Sequence, residues 1–485
     1  MPAARKPRAL FGLALALALA GAGACAVGPD YARPAFEAPP AFKELEGWKR
    51  AQPSDAELRG AWWEIFGDAD LDALETQVIA SNQTLAQAVA TYAEARAQVR
   101  EARAAYFPTL AVGIGATRSL SSSNQANFVS QKNAVTEQSL PVDVSWEPDL
   151  WGRVRRSVES ERAAAQASAG DLASAQLSLQ AQLAQDYFTL RTLDAERRLL
   201  DDTVLAYEKS LQITKNRYDA GVAARTDVVQ AQAQLETTRA QAINIGVQRA
   251  ATEHAIARLV GRTPAQLSIA SEPLEASPPG VPVALPSALL ERRPDVAAAE
   301  RRVAAANAQI GVAEAAYFPT VTLSASGGFQ SAGLAQWFTW PSRFWSVGPS
   351  VSETVFDGGL RGAQTDFARA GWEGSVAAYR DTVLTAFQGV EDQLAALRIL
   401  QGEAVAQAAA VQAARESVVL TNNEYLAGTV SYLDVVTVQA IALADERADV
   451  DLLGARMTAS VLLIEALGGG WSSAELPTAD QVTKR

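Results

Sequence analysis

The sequence predicts a mainly α chain that also carries a small set of membrane-type β-strands. Three observations lead there. The whole pattern is duplicated within one chain, its helical runs are too long for a globular core, and segments of apolar–polar alternation recur at matching places in the two halves.

The duplication is read from order and spacing. Tyr106-Phe107-Pro108-Thr109 recurs as Tyr317-Phe318-Pro319-Thr320, an offset of 211. Tyr218-Asp219-Ala220-Gly221, then Asp227-Val228-Val229, recurs as Tyr425-Leu426-Ala427-Gly428, then Asp434-Val435-Val436, an offset of 207. Trp151-Gly152-Arg153 has a looser counterpart in Asp357-Gly358-Gly359, at about 206. The period is far longer than that of a solenoid repeat.

In chain order, the first element is a leader. Arg5, Lys6 and Arg8 precede an apolar run over 9–24, shorter than the roughly 20 residues a membrane helix needs, so 1–24 reads as a signal peptide. Cys25, the only cysteine, follows Ala22-Gly23-Ala24 and excludes an intrachain disulfide. Three readings fit it: a buried thiol, an incidental residue of a removed leader, or a lipidated N-terminus. The small residues before it resemble a bacterial lipobox, with Ala22 where Leu is usual. Ala26 in place of Asp resembles lipoproteins sorted to the outer membrane. Lipidation at Cys25 is the expectation. Losing a leader with three cations and no acid takes the formal net charge from −12 to −15. Such a chain is a poor nucleic-acid binder; a solvated acidic surface or a cation-favouring lumen would account for the charge.

Residues 25–67 lead into a first repeat over 68–270. A linker over 271–290, with Pro273, Pro278, Pro279, Pro282 and Pro286, should be irregular and extended. A second repeat over 291–467 and a tail over 468–485 follow. Each repeat opens with an Ala-rich helix, 68–105 or 294–316, stopped near Pro108 or Pro319. After two extended segments comes a helix of about 66 residues, 153–218 or 359–424, roughly 100 Å long at 1.5 Å per residue. A turn holding Gly221 or Gly428 ends it, and a helix returns over 226–260 or 432–467. In the first half the two shorter helices together match the long one, so they should stack end to end beside it. Leu172, Leu179, Leu183, Leu190 and Leu193 mark one apolar seam, and abundant Ala permits close packing on a second face.

The extended segments alternate. Leu110, Val112 and Ile114 oppose Ala111, Gly113 and Gly115; Leu140, Val142, Val144 and Trp146 oppose Asp143, Ser145 and Glu147. In the second half Val321, Leu323 and Ala325 oppose Thr322, Ser324 and Ser326, and Trp345, Val347 and Val351 oppose Ser346, Ser350 and Ser352. A half-buried soluble strand would look the same. Lengths near 10 residues, the leader, and Trp337, Trp340, Phe344 and Trp345 at the place of an interfacial girdle favour a membrane barrel. Pro349 weakens the fourth segment, and Glu353 on its apolar face marks the end of the membrane part. Four strands cannot close a barrel, and lipid admits no open edge. A dimer gives eight strands and a trimer twelve, and a conduit favours the trimer because eight leave a filled interior.

These stretches resemble the outer membrane factor (TolC-like) family, most closely the NodT-type outer-membrane lipoproteins of RND multidrug efflux systems. The motifs are Cys25-Ala26-Val27-Gly28-Pro29-Asp30-Tyr31, Trp62-Trp63 with Asn82, Trp151-Gly152-Arg153, Arg292-Arg293-Pro294-Asp295 with Ala299-Glu300, 306–313, and the two Tyr-x-x-Gly turns. They span nearly the whole chain. The resemblance implies a homotrimer with a twelve-stranded β-barrel in the outer membrane of a Gram-negative bacterium. It further implies a periplasmic α-helical barrel girdled by a mixed equatorial domain, and a passive gated exit duct for small molecules. A periplasmic adaptor protein, contacting the tip turns at Gly221 and Gly428, would join it to an inner-membrane RND-type pump. The gate would lie at those tips. By motif position Asp227, after Thr226, would bond Tyr425, and Asp434 would form a ring of three carboxylates that bind cations and raise one another's pKa. Val430 stands where some members carry an Arg of the gate network, and Thr437 replaces a possible second acidic ring. Asp227 and Thr226 could equally cap a helix start, and Tyr425 could only pack the turn.

No enzyme chemistry is expected. The lone His254 has no Ser or Cys motif beside it, and no Cys/His cluster suggests a transition metal or cofactor. Asp68, Asp70 and Asp72 lack the Gly and Glu of a calcium loop and suit a helix N-terminus. Gly113, Gly115, Gly327 and Gly328 lack a phosphate-loop continuation. A lipid-anchored periplasmic coiled-coil scaffold without a pore would explain the helices and Cys25 but not the paired alternating segments. A protein-secretion duct would share every feature, since the sequence does not specify substrate.

Overall fold

The computed structural model describes residues 26–44, 60–120, 122, 134–274, 276–281 and 291–484. The expected leader, Cys25 and the linker stretch 282–290 lie outside the described residues. In the first half a short 3-10 turn (Trp62–Phe66) precedes α1 (Ala69–Ser81) and α2 (Gln83–Ala104). Strands β1 (Thr109–Val112), β2 (Gly115–Ser119) and β3 (Val135–Trp146) follow, then α3 (Arg153–Asp219) and α4 (Arg225–Leu259). The second half contains α5 (Pro294–Ala315), β4 (Thr320–Ser331), β5 (Arg343–Ser352), α6 (Leu360–Ala427) and α7 (Tyr432–Ala466). The long helices α3 and α6 have 67 and 68 residues.

The short helices stack end to end beside the long ones in both halves, as the lengths in the first half predict. α2 and α4 lie along one side of α3, α5 and α7 along its other side, and α6 packs against α5 and α7. The two stacking joints are built alike. At the first, Asn82 Nδ2 donates to the Leu259 carbonyl (2.8 Å) and Ser81 Oγ to that of Val260 (2.7 Å). At the second, Arg293 Nη1 donates to the Ala466 carbonyl (2.8 Å). A glycine with positive φ closes each joint, Gly261 at 68° and Gly468 at 96°. A β-carbon there would sit 2.3 Å from the Ser81 oxygen or 2.1 Å from the Arg292 oxygen, so both backbones approach where only glycine fits.

The single helix expected over 68–105 is in fact two. Asn82 leaves the helical backbone (φ −67°, ψ 126°), and its Oδ1 accepts the Leu85 N–H at 2.9 Å to cap α2. One side chain thus ends one helix, starts the next and joins α4. Asp68 caps α1, with Asp70 and Asp72 in its first turn, the placement expected of these acids.

The strands form one antiparallel sheet in the order β1-β3-β4-β5, with β2 also on β3. The first strand, whose alternation runs unbroken from Leu110 to Gly115 in the sequence, is interrupted at Gly113-Ile114. The register does not slip, because Val112 faces Val142 and Gly115 faces Ser139. The gap lies opposite Pro141, which has no N–H for the ladder, while the Gly113 N–H still reaches the Pro141 carbonyl at 3.0 Å. β5 runs unbroken through Pro349, as an edge strand of this sheet can.

The register aligns the predicted faces. Leu110, Val144, Ala325 and Val347 form a row across four strands, and Ala111, Asp143, Ser326 and Ser346 form the adjacent row on the opposite face. Ser326 Oγ donates to Asp143 Oδ1 at 2.6 Å. Within the chain the apolar face is bare: Leu110 is 69% exposed, Val347 71% and Trp345 80%. β5 stops at Ser352, and Glu353 beyond it pairs with Arg361 at 3.2 Å.

The largest core lies around the joints, where Trp62, Leu71, Tyr187, Phe188, Tyr379 and Met457 are buried. A charged knot ties the linker to it. Arg191 pairs with Asp70 (2.9 Å) and donates to the Ala270 carbonyl (2.8 Å), and Asp194 accepts from Arg249 Nε (2.6 Å) and Ser271 Oγ (2.8 Å). Among the described residues no helix is long and apolar enough to cross a membrane.

Candidate functional site

At the far ends of the long helices the two turns come together, and the repeat can be compared atom by atom. Gly221 (φ 75°) and Gly428 (φ 80°) reverse the chain. The Val222 N–H donates to the Arg217 carbonyl (2.8 Å) and the Thr429 N–H to that of Glu424 (3.0 Å), so each helix end closes on its own last turn. The return helices then differ at their starts. α7 begins with a capping box: the Ser431 N–H and Oγ both donate to Asp434 Oδ2, at 2.9 and 2.7 Å. At the equivalent place in α4 stands Ala224, with no side chain to cap. Thr226 is exposed, and Asp227 occupies the same third helical position as Asp434. Ser431 holds the Asp434 carboxyl below the usual Asp range.

Between the turns lies a small core of Tyr207, Leu211, Ala231, Leu235, Tyr425, Tyr432 and Val435. Tyr425 and Tyr432 meet edge to face, centroids 5.2 Å apart. The Arg217 guanidinium stacks over the Tyr425 ring at 4.9 Å and donates to the Leu426 carbonyl (3.0 Å) and that of Tyr425 (3.3 Å). Arg217, from the last turn of α3, therefore satisfies carbonyls at the C-terminal end of α6. Tyr432 Oη lies 3.1 Å from Ser210 Oγ. Burial foremost raises the Tyr432 pKa, and the Asp227 charge adds a smaller push.

The Asp227–Tyr425 hydrogen bond implied by motif position is not made. The Tyr425 hydroxyl is buried without a hydrogen-bond partner among the described residues. Its ring is fixed instead by Arg217 on one side and Tyr432 on the other. Val430, where an Arg was a possible gate partner, packs on this core, and the guanidinium of the region comes from Arg217. The sequence reading missed Arg217, although a cation in the last turn before a Tyr-x-x-Gly stop was visible.

A second constellation gathers motifs that looked separate. The Val27 N–H donates to the Trp151 carbonyl (3.0 Å), and Arg156 Nη2 reaches the Gly28 carbonyl (3.2 Å) and Asp30 (2.8 Å). Asn307 Nδ2 donates to the Pro29 carbonyl (2.9 Å), and the Tyr31 hydroxyl to Glu300. Trp151 stacks on Phe318 at 4.9 Å and donates to the Pro319 carbonyl at 2.8 Å. The segment directly after Cys25 is thus seated on α3 and α5 just below the sheet. His254 is exposed on α4, and no group of three or more potential ligands is placed to hold a metal among the described residues.

The model of a family described as outer membrane efflux protein matches residues 74–262 and 285–469. The chain belongs to that family. Each matched stretch holds the strands, long helix and return helix of one repeat. This outer membrane efflux protein is 32% identical over 471 residues to the probable efflux pump outer membrane protein TtgC of Pseudomonas putida, covering 95% of both chains. It is 33% identical over 484 residues to the outer membrane protein OprJ of Pseudomonas aeruginosa, covering 96% of this chain and 97% of that one. Its structure superposes on that of the outer-membrane channel OprN with a TM-score of 0.85 and 31% identity, over 92% of this chain and all of that one. The efflux protein is a transport component of the outer membrane of a Gram-negative bacterium, with the mainly α, membrane-β fold of these channels.

Proposed function

We propose that three copies of this chain close into a passive, gated exit duct of a tripartite efflux pump. The observation that carries this reading is the open sheet: four strands wide, with a bare apolar face and edges at β1/β2 and β5. Lipid admits no open sheet edge, and twelve strands close with a channel through them. The duct is gated at the helix tips. Opening there separates the α3–α4 turn from the α6–α7 turn, and Arg217 is the strap between them. Asp227 and Asp434 line the constriction, with Thr226 beside Asp227. An adaptor protein seats on the turns at Gly221 and Gly428 and delivers small molecules from an RND-type pump. Cys25 is lipidated, and the seating of 26–31 beside the sheet base sets the acyl chains at the periplasmic membrane surface.

Single-channel recording in planar bilayers tests the gate. The unaltered trimer should conduct little, and Arg217→Ala should raise open probability several-fold by removing a cation–π contact worth on the order of 1 kcal/mol together with the carbonyl bonds. Tyr425→Phe should change little, because the hydroxyl it deletes makes no bond. Purified trimers that stay silent in all three forms would defeat the duct reading.

A further inference from the structure

The strand register gives each residue of the sheet a face and a height. The base is where the strands meet the helices, at Thr109, Trp146, Thr320 and Ser352, and the far end carries the β2–β3 and β4–β5 connections. Directly paired residues share a face. On the apolar face the rows climb from Leu110, Val144, Ala325 and Val347 to Leu140, Phe329 and Arg343. Arg343, opposite Phe329, therefore stands at the upper margin of the apolar face. Arg118 of β2 stands on the same face beyond it, opposite Thr136. Both arginines are exposed.

The charge at this end runs against the rest of the chain. The protein has a formal net charge of −12, yet from Ile114 to Leu140 its charged residues are Arg118, Lys132 and Glu137, and from Phe329 to Trp345 only Arg343 is charged. Glu137 pairs with Thr117 and so lies on the other face, with Asp143 and Ser145. Among the described residues no carboxylate shares the upper part of the apolar face with either arginine. The β4–β5 connection folds onto that same face. Phe338 meets the Phe329 ring at 5.6 Å, Trp337 stacks on Phe338 at 5.0 Å, and the Arg343 guanidinium lies over the Trp340 ring. Phe338, Trp340 and Trp345 stay exposed around it.

We propose that the outer rim of the sheet, at Arg343 with Trp340 and at Arg118, binds the phosphate groups of a phosphorylated glycolipid in the outer leaflet of the outer membrane. This rests on the barrel reading and names the lipid that the barrel's outer margin takes. Exposed rings at the edge of an apolar band sit where acyl chains give way to headgroups, and a long cationic side chain there reaches up to the polar layer. The planar guanidinium fork matches phosphate oxygens two at a time. Closing β5 of one copy against β2 of the next sets Arg343 and Arg118 on strands about 4.8 Å apart. Each closure then presents two cations to a headgroup that bears two phosphates. A zwitterionic head brings an amine that the same cations repel.

Native mass spectrometry of the purified full chain in detergent tests the site with three added lipids: bis-phosphorylated lipid A, the same lipid after phosphatase treatment, and phosphatidylethanolamine. The unaltered protein should retain the first about tenfold better than either other, and Arg343→Gln and Arg118→Gln should each remove most of that preference, since a hydrogen bond to a charged group is worth roughly a factor of ten. Arg343→Lys should keep part of it, and Arg100→Gln, on α2 beyond the sheet base, should keep all of it. Equal retention of the three lipids, or a preference that survives Arg343→Gln and Arg118→Gln together, would overturn the rim site and leave the barrel standing. Displacement of lipid A by inorganic phosphate at matched phosphate concentration would assign the cations to a free anion and overturn the lipid. An unaltered protein that fails to insert into vesicles of phosphatidylethanolamine and phosphatidylglycerol would overturn barrel and rim together.

Discussion

Glu75 of α1 is fully buried, and neither of its carboxyl oxygens has a hydrogen-bond partner among the described residues. Burial, aided by the Asp72 charge, pushes its pKa up to about 9. The folded chain therefore holds a proton there that the unfolded chain releases near pH 4.3. Stability from this group is complete below about pH 4.3 and declines as the pH rises toward about 9. Glu75→Gln should flatten that decline and raise the thermal midpoint at pH 8 by several degrees; scans of both proteins from pH 5 to 9 with one common slope would contradict it. Nothing in the sequence flagged Glu75, because its burial depends on residues far along the chain. At the tip, motif position found Asp227, Tyr425 and Asp434 as neighbours in one region but not their bonds. Ser431 in one repeat and Ala224 in the other decide which carboxylate is tied down, and Arg217 rather than Asp227 engages Tyr425.

Helices and strands were legible wherever their causes were local. The long helices, the Pro-stopped short ones and the glycine turns fall within a few residues of expectation, because periodicity and caps are encoded in neighbouring residues. The two departures have distant causes. Asn82 breaks a helix partly to reach Leu259, and the first strand breaks because Pro141 of another strand lies opposite. The stacking joints belong to this scale. Gly468→Ala should cost roughly 1–3 kcal/mol in backbone strain alone, with the clash against the Arg292 oxygen adding to it, and Gly261→Ala should behave alike. Gly402, inside α6 with open space around it, should respond oppositely: Gly402→Ala should stabilise by about 1 kcal/mol. Denaturant melts of the three variants read the signs, and a neutral Gly468→Ala would refute the joint.

For the molecule as a whole, the duplication and the need for partners were legible in the sequence, while the resemblance supplied the number three. Neither could show that the segment after Cys25, Arg156, Asn307 and Trp151 form one seat, since these residues are scattered over 280 positions. That seat makes the proposed anchor separable from the proposed duct. Cys25→Ser should abolish incorporation of labelled palmitate while leaving trimer mass and conductance within about twofold, because the seating bonds start at Val27. An unaltered protein that takes up no label would end the anchor reading.

The likeness of the two stacking joints bears on how such a ring comes together. In the proposed trimer six equivalent units surround the axis. As six separate chains, every unit would have to be captured from dilute solution. Covalent pairing turns alternate captures into intramolecular events at effective concentrations of about millimolar. The duplication thus shortens the assembly route itself, and with it the time in which sheet edges stand uncovered in the envelope.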